Sequence, residues 1–322
     1  NNPDSQLNLG ILYYLGKNIS FDINKSIYYL TLSANQNNNH SQFLLGLVYF
    51  KGDGIVRDIN KALYYFKLSA NQNNSMAQYF LGFIYYEGEF TKRNINQSIY
   101  YLKLSANQNN PDAQSYLGKI YYYGDFVPRD VNLSIYYLTK SANQNNAYSK
   151  ILLGIIYYDS KYTSRNINKA LDYFISSANE NNSNAQLILG IIYFEGKNVS
   201  PDVNKFIHYL TLSANQNNSE ALFLLGMIYH EGKLVKHDLN RSINYLTRSA
   251  NLNYSNAQFV LGRIHLESGS AFYNVNKAIF YLTNSAKQSN INACFALGNI
   301  YLTNKYTSSD IEKSIHYYKE AS

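Results

Sequence analysis

Acidic and amide side chains return once every 36 residues, and a row of carboxylates is the kind of feature that binds metal ions or transfers protons. The row consists of Asp22, Asp58, Asn94, Asp130, Asn166, Asp202, Asp238, Asn274 and Asp310. Carboxylate chemistry does not tolerate the neutral Asn members, whereas capping of a helix N-terminus accepts Asp and Asn alike. We therefore predict that each of these residues is the N-cap of a helix.

Histidines are the other candidates for chemistry, and they occupy different positions of the repeating pattern. They are His40, His208, His230, His237, His265 and His316. His230 and His265 lie about one repeat apart and could approach each other. However, no His-Glu-x-x-His motif, glycine-rich phosphate loop or nucleophile elbow accompanies them. We predict no catalytic residue, no metal site and no cofactor, and hence a non-enzymatic protein.

The element that positions these residues is a 36-residue repeat marked by the pattern Leu-Gly-x-x-Tyr, as in Leu81 to Tyr85. Its glycines are Gly10, Gly46, Gly82, Gly118, Gly154, Gly190, Gly226, Gly262 and Gly298. Equal spacing without insertions predicts one solenoid domain over 1–322, in which every unit stacks in the same way. The expected units are approximately 1–36, 37–72, 73–108, 109–144, 145–180, 181–216, 217–252, 253–288 and 289–322.

Each unit has room for two helices, which we call helix A and helix B. Helix A contains the repeat glycine, as in Met76 to Tyr86, and its apolar residues recur at intervals of three and four. A glycine inside a helix costs about 1 kcal/mol against alanine, so we expect close packing on a neighbouring helix. Helix B carries a small residue at the position of Ala62. Phe206 replaces it in one unit and predicts local widening or repacking there.

Turn residues separate the helices. A second glycine, as at Gly88, predicts a left-handed turn after helix A in the units that contain Gly16, Gly52, Gly88, Gly124, Gly196 and Gly232. Ser160, Ser268 and Asn304 replace it in the other three units and predict loops of different shape. After helix B, we expect Asn73 to adopt the left-handed conformation and Asn74 to cap the next helix A.

Composition limits the function classes. Hydrophobic residues make up 46% of the chain, including 34 tyrosines, which is enough for a continuous core. No apolar run approaches the roughly 20 residues of a membrane-spanning helix.

The single cysteine, Cys294, excludes a disulfide framework and favours a reducing compartment such as the cytoplasm. We expect Cys294 to be a small buried residue. The chain starts without methionine at the same repeat phase as Asn109, so we expect it to be part of a longer protein.

The repeated residues resemble the Sel1-like repeat along the whole chain. The resemblance is carried by Ala77-Gln78-x-x-Leu81-Gly82-x-x-Tyr85-x-x-Gly88, by Asp58-x-Asn60-Lys61-Ala62-x-x-Tyr65 and by Ser69-Ala70. The second glycine and the Asp-x-x-Lys-Ala element distinguish this family from the related tetratricopeptide repeat. The resemblance implies an all-α, right-handed superhelix of antiparallel helix pairs, with helix A lining the concave face. It also implies a scaffold or adaptor that binds other proteins.

We expect the residues three positions before and one, four and five positions after each repeat glycine to share one face of helix A, which we call the helix-A face. The last three positions vary most between units, and their aromatic and aliphatic residues with an acidic rim suit a protein or peptide partner with apolar anchors and some basic residues. The candidate partner-binding residues are Phe50, Phe83, Tyr86, Lys119, Tyr122, Tyr158, Phe194, Met227, His230 and Arg263. An alternative is that the aliphatic members pack between adjacent helices A and never meet a ligand.

Two other functions stay open at this level. The net charge of +7 is compatible with an RNA-binding array, although it is spread along the chain and the acidic row on the helix-A face argues against phosphate binding. The family resemblance also allows a secreted, hydrolase-like protein or a host-interaction effector.

Overall fold

The computed structural model describes residues 2–17, 19–159, 164–197, 199–267, 269–303 and 306–322. Within these ranges the chain forms eighteen α-helices and no strand. They fall into two compact units, Asn1–Asn166 and Ile167–Ser322. Helices A and B alternate throughout, which confirms the all-α repeat fold, while a single domain over 1–322 stays a prediction. No helix in the described ranges is both long and apolar enough to cross a bilayer.

The odd-numbered helices are helices A and the even-numbered ones are helices B. The first unit contains α1 (Pro3–Leu15), α2 (Ile23–Ala34), α3 (Asn39–Lys51), α4 (Ile59–Asn71), α5 (Ser75–Glu87), α6 (Ile95–Asn107), α7 (Pro111–Tyr123), α8 (Val131–Ala142) and α9 (Ala147–Tyr158). The second contains α10 (Ile167–Asn179), α11 (Ser183–Glu195), α12 (Val203–Asn215), α13 (Ser219–Glu231), α14 (Leu239–Asn251), α15 (Ser255–Ile264), α16 (Val275–Ala286), α17 (Ile291–Leu302) and α18 (Ile311–Ala321).

The row of Asp and Asn residues caps helices B. The Asp58 carboxylate accepts a hydrogen bond from the backbone N–H of Lys61 at 2.9 Å, which satisfies a donor that the first helical turn leaves free. The same side-chain cap is present at Asp22, Asn94, Asp130, Asp202, Asp238, Asn274 and Asp310. These caps confirm the structural role of the row at eight positions, and the cap at Asn166 stays a prediction.

The turns between helices also follow the sequence. Gly88 has φ of 67° and ends α5, and the five equivalent glycines are left-handed as well, as expected. Asn73 has φ of 61°, and the Asn74 side chain accepts a hydrogen bond from the Ala77 N–H at 3.0 Å, so both predicted roles are confirmed. Ser160, Ser268 and Asn304 lie outside the described residues.

Helix A packs on helix B at the repeat glycine. A Cβ atom added to Gly82 would lie 2.5 Å from Leu102 Cγ, which is closer than a methyl group can sit. Ser98 adds a polar contact at this crossing, because its hydroxyl donates to the Gly82 carbonyl at 2.7 Å. The repeat glycine therefore permits the close approach that the sequence predicts.

Neighbouring repeats are joined by a ladder of buried amides. The Gln78 side chain is 1% exposed; its amide donates to the carbonyl of Ala70 in the preceding repeat at 3.2 Å, and its oxygen accepts from Gln108 of its own repeat at 2.7 Å. The Ser105 hydroxyl donates to the Ser75 carbonyl at 2.7 Å in the same region. Because buried polar groups are costly without partners, the bond to Ala70 fixes the register between adjacent repeats, and the other two bonds fix helix B on helix A within one repeat.

Candidate functional site

The helix-A face contains most of the predicted partner-binding residues at partly accessible positions. Phe194 is 51% exposed, and Arg263 is exposed as well. The half-buried members are Phe50, Phe83, Lys119, Tyr122, Tyr158, Met227 and His230. Tyr86 is 6% exposed, so its ring supports the face from below and presents little surface to a partner.

Aromatic rings fill the spaces between successive helices A in part of the first compact unit, Asn1–Asn166. Phe50 of α3 contacts Phe80 of α5 with ring centroids 6.0 Å apart, and it contacts Phe90, which follows α5, at 5.2 Å. One repeat later, Tyr86 contacts Tyr116 at 5.5 Å. It also contacts Phe126 at 5.6 Å, so three aromatic positions close the space in both cases.

The equivalent space is open between α11 and α13 in the second compact unit, Ile167–Ser322. Leu224 stands at the repeat position of Phe80, and Leu234 stands at the position of Phe90. Both leucines line a cavity of about 400 Å³, within the size range of ligand sites in proteins. The other lining residues are Ile191, Phe194, Glu195, Phe206, Glu220, Met227, Ile228, Glu231 and Lys233. We call this cavity the α11/α13 pocket.

Phe206 on α12 contributes to the open space. A Cβ atom on Gly190 would lie 3.4 Å from the nearest atoms of α12, in ordinary contact and clear of the clash seen at Gly82. The prediction of widening at Phe206 is therefore confirmed. Phe194 packs on Phe206 with centroids 4.6 Å apart, and more than half of its side chain stays exposed.

Three exposed glutamates belong to the lining of the α11/α13 pocket. Glu195 pairs with Lys197 at 3.3 Å and Glu231 pairs with Lys233 at 3.2 Å, and these side chains are partly or largely exposed. Glu220, on the first turn of α13, is a third exposed acid on the lining. Exposed pairs of this type contribute about 0–1 kcal/mol, so a cationic partner can replace the lysines at little cost.

A second polar cluster lies on the helix-A face of the first unit. The Tyr116 hydroxyl donates a hydrogen bond to Glu87, and Lys119 lies 3.9 Å from the same carboxylate. The Lys119 ammonium is also 4.9 Å from the centroid of the Tyr116 ring. Burial, followed by the bond to Glu87, raises the pKa of Tyr116 well above its usual value. Here the predicted residue Lys119 is engaged within the face.

Two further cavities occupy equivalent places on the helix-A face. One of about 190 Å³ lies between α1 and α3 and is lined by Leu44. The other, of about 520 Å³, lies between α15 and α17 and is lined by Ala296 and the predicted residue Arg263. Leu44, Leu224 and Ala296 all stand two residues before a repeat glycine, where Phe80 and Tyr116 close the space elsewhere. The size of this residue is the feature that the sequence analysis missed.

Histidine side chains contact neighbouring rings or backbone, and the cysteine is buried. His230 lies beside His237, with ring centroids 6.4 Å apart. His265 stacks on Tyr281 at 5.8 Å, and its Nδ1 lies 2.6 Å from the Phe272 carbonyl oxygen. Cys294 is 1% exposed, as expected. Among the described residues no group of three or more His, Cys, Asp and Glu side chains could hold a metal ion.

A family model described as Sel1 repeat matches the chain nine times. The matched residues are 3–38, 39–74, 75–110, 111–146, 147–182, 183–218, 219–254, 255–290 and 291–322. Each match begins two residues later than the unit expected from the spacing of the glycines. The matches confirm the resemblance and show that the pattern extends over nearly all of the sequence.

Solved structures with the same fold include two bacterial proteins. The protective antigen c5321 of uropathogenic Escherichia coli, described as an SLR fold, is 28% identical with a TM-score of 0.71, and the alignment covers 99% of this chain and 68% of that one. A Sel1 repeat protein of Oxalobacter formigenes is 27% identical with a TM-score of 0.67, covering 92% and 85%. A search of curated proteins finds no match.

Proposed function

Because this chain belongs to the Sel1 repeat family, whose members are generally protein-interaction scaffolds, we propose that it is a non-enzymatic scaffold that binds a protein partner along its helix-A face. Helices A and B have different roles in this proposal. The repeated glycines, caps and amide ladder maintain the stack, while the variable residues on the helix-A face select the partner. This is the face that the family resemblance predicts to be concave.

The observation that carries the proposal is the series of apolar cavities at equivalent places on the helix-A face. Pockets that combine an apolar lining with a few polar groups are the usual sites of recognition. Half-exposed residues such as Phe83, Met227 and His230 lie along the same face. A segment of another protein with several apolar side chains could contact both cavities of the second compact unit.

Site-specific crosslinking tests the face. A photo-reactive amino acid is placed at Phe83, Met227 or Arg263 on the helix-A face, and the crosslinked proteins are identified by mass spectrometry. Tyr64 and Tyr100 on helices B, 58% and 59% exposed, are matched control positions because they are accessible aromatics on another surface. We expect the same partner from the helix-A positions and none from the controls. Crosslinks that form only from Tyr64 and Tyr100 would overturn the proposal.

Substitution provides an independent test. Replacing Phe83, Tyr122 and Phe194 by alanine should remove partner capture and leave the helical content unchanged, because these side chains are partly or largely accessible. The corresponding control replaces Tyr64 and Tyr100 by alanine. Tyr86 is left out of this set because it is buried, and its removal would damage the packing between α5 and α7. Capture that survives the triple substitution would place the site elsewhere.

A further inference from the structure

We propose that the α11/α13 pocket is an anchor site for a peptide segment in which a large apolar side chain is followed by a lysine or arginine. This inference rests on the proposed function, because it specifies what a partner on the helix-A face presents to one place. The chemistry follows from the lining. The apolar residues of the lining take the anchor, and its exposed carboxylates take the cation.

The apolar part of the argument is the volume that two leucines leave empty. The residues equivalent to Leu224 and Leu234 are aromatic at two other interfaces. They are Phe80 and Phe90 between α3 and α5, and Tyr116 and Phe126 between α5 and α7, and each ring contacts an aromatic neighbour. An aromatic side chain supplied by a partner would restore in the α11/α13 pocket the contacts that Phe80 and Phe90 make within the protein. Phe194 and Phe206 provide rings on one wall for it to pack against.

The charged part of the argument is the local excess of acids. The chain carries a net charge of +7, yet three glutamates and one lysine line this pocket. Glu195 and Glu231 are each paired with a lysine two residues away, and Glu220 lies on the first turn of α13. A basic residue next to the anchor would meet the carboxylates, and an acidic residue there would be repelled. The pocket therefore favours apolar-basic over apolar-acidic sequences.

Methyl NMR with small defined peptides tests the pocket directly. The full chain, labelled at Ile, Leu and Met methyl groups, is titrated with acetyl-Gly-Phe-Lys-Gly-amide. We expect saturable shifts at Ile191, Leu224 and Met227 and smaller shifts at Leu44, which lines the cavity between α1 and α3. Exchange of the lysine for glutamate should weaken binding about fivefold at low salt, and exchange of phenylalanine for serine should abolish it.

Two matched variants separate pocket occupancy from loss of folding. Leu224→Phe places in the pocket the residue type that Phe80 provides at the closed interface between α3 and α5. It should abolish the shifts and leave the helical content unchanged. Leu44→Phe makes the same substitution at the same repeat position and should leave binding unchanged. Glu220→Gln should reduce the preference for the lysine peptide over the glutamate peptide.

The inference is overturned by any of three results: no shifts with the Phe-Lys peptide, shifts that persist in Leu224→Phe, or equal affinity for the lysine and glutamate peptides. Such a result leaves the proposed function standing if crosslinks still form at the helix-A positions. Conversely, peptide binding together with crosslinks confined to helices B would preserve the pocket and remove the proposed function.

Discussion

Alanine substitutions at two equivalent glycines, Gly82 and Gly190, should change stability in opposite directions. At Gly82 the new methyl group would lie 2.5 Å from Leu102 Cγ and 3.1 Å from its backbone nitrogen. Overpacking of this kind costs about 1–3 kcal/mol, and the higher helix propensity of alanine offsets about 1 kcal/mol of it. Gly82→Ala should therefore destabilise its repeat by up to about 2 kcal/mol.

At Gly190 the clash is absent. The nearest atoms to the new methyl group, in Leu210 and Phe206, are 3.4 Å away, which is an ordinary van der Waals distance. The propensity gain remains, so Gly190→Ala should stabilise its repeat by about 1 kcal/mol. The difference in sign comes from Phe206, which widens the crossing between α11 and α12.

Amide hydrogen exchange by mass spectrometry measures both effects in place, because a repeat array opens locally as well as globally. Exchange in α11 should slow roughly fivefold in Gly190→Ala, and exchange in α5 should speed up by as much as about thirtyfold in Gly82→Ala. In each variant the other of these two helices is the internal control: α11 for Gly82→Ala and α5 for Gly190→Ala. Changes of the same sign in the two variants would refute the argument that spacing at the crossing decides the effect.

Four further predictions concern helix capping, the pH dependence of stability, the filling of the α11/α13 pocket and RNA binding. Asn94→Ala removes the acceptor of the Gln97 N–H and should cost about 1 kcal/mol, seen as faster exchange in α6. Hydrogen bonding to the Lys25 N–H lowers the pKa of Asp22 below its usual 3.8, so this carboxylate stabilises the fold above that pH and the effect is lost on acidification. Thermal unfolding of Asp22→Asn should therefore differ from that of the parent at pH 6, and the difference should disappear as the pH falls through the lowered pKa of Asp22. Leu224→Phe should raise the unfolding midpoint by filling the α11/α13 pocket, with a gain of about 0.5–2 kcal/mol in urea titrations, and a loss of stability would contradict the match with Phe80. Polyuridylate should not bind at about 150 mM salt, because cations such as Lys205, 3.9 Å from Asp202, are engaged within the fold; tight binding with a steep salt dependence would instead favour the RNA alternative.

Features confined to one repeat could be predicted from residue types and spacing. Asn73, Asn74 and Asp58 act through their own backbone or through residues three positions away, and such interactions are set by local sequence. Widening at Phe206 was also predictable, because a large residue at a position otherwise occupied by Ala or Ser has a direct consequence for the neighbouring helix. In both cases the repeat itself provides the comparison.

Accessibility on the helix-A face was predicted less well. Tyr86 and Phe194 occupy the same repeat position and were both expected to face a partner, yet Tyr86 is 6% exposed and Phe194 is 51% exposed. The difference depends on residues from adjacent helices, with Tyr116 and Phe126 covering Tyr86 and Phe206 lying beneath Phe194. Periodicity alone places a residue on a face and does not report the volume of its neighbours.

The sequence by itself determined the architecture, because a 36-residue interval with glycines, caps and left-handed turns at constant positions allows each unit only one local structure. Tertiary structure alone decided where the stack is closed and where it is open. An empty volume such as the α11/α13 pocket belongs to several helices at once, and its size follows from the sum of side chains that are distant in sequence. The repeated residues thus define the family, while the cavities depend on how the variable residues of adjacent repeats pack together.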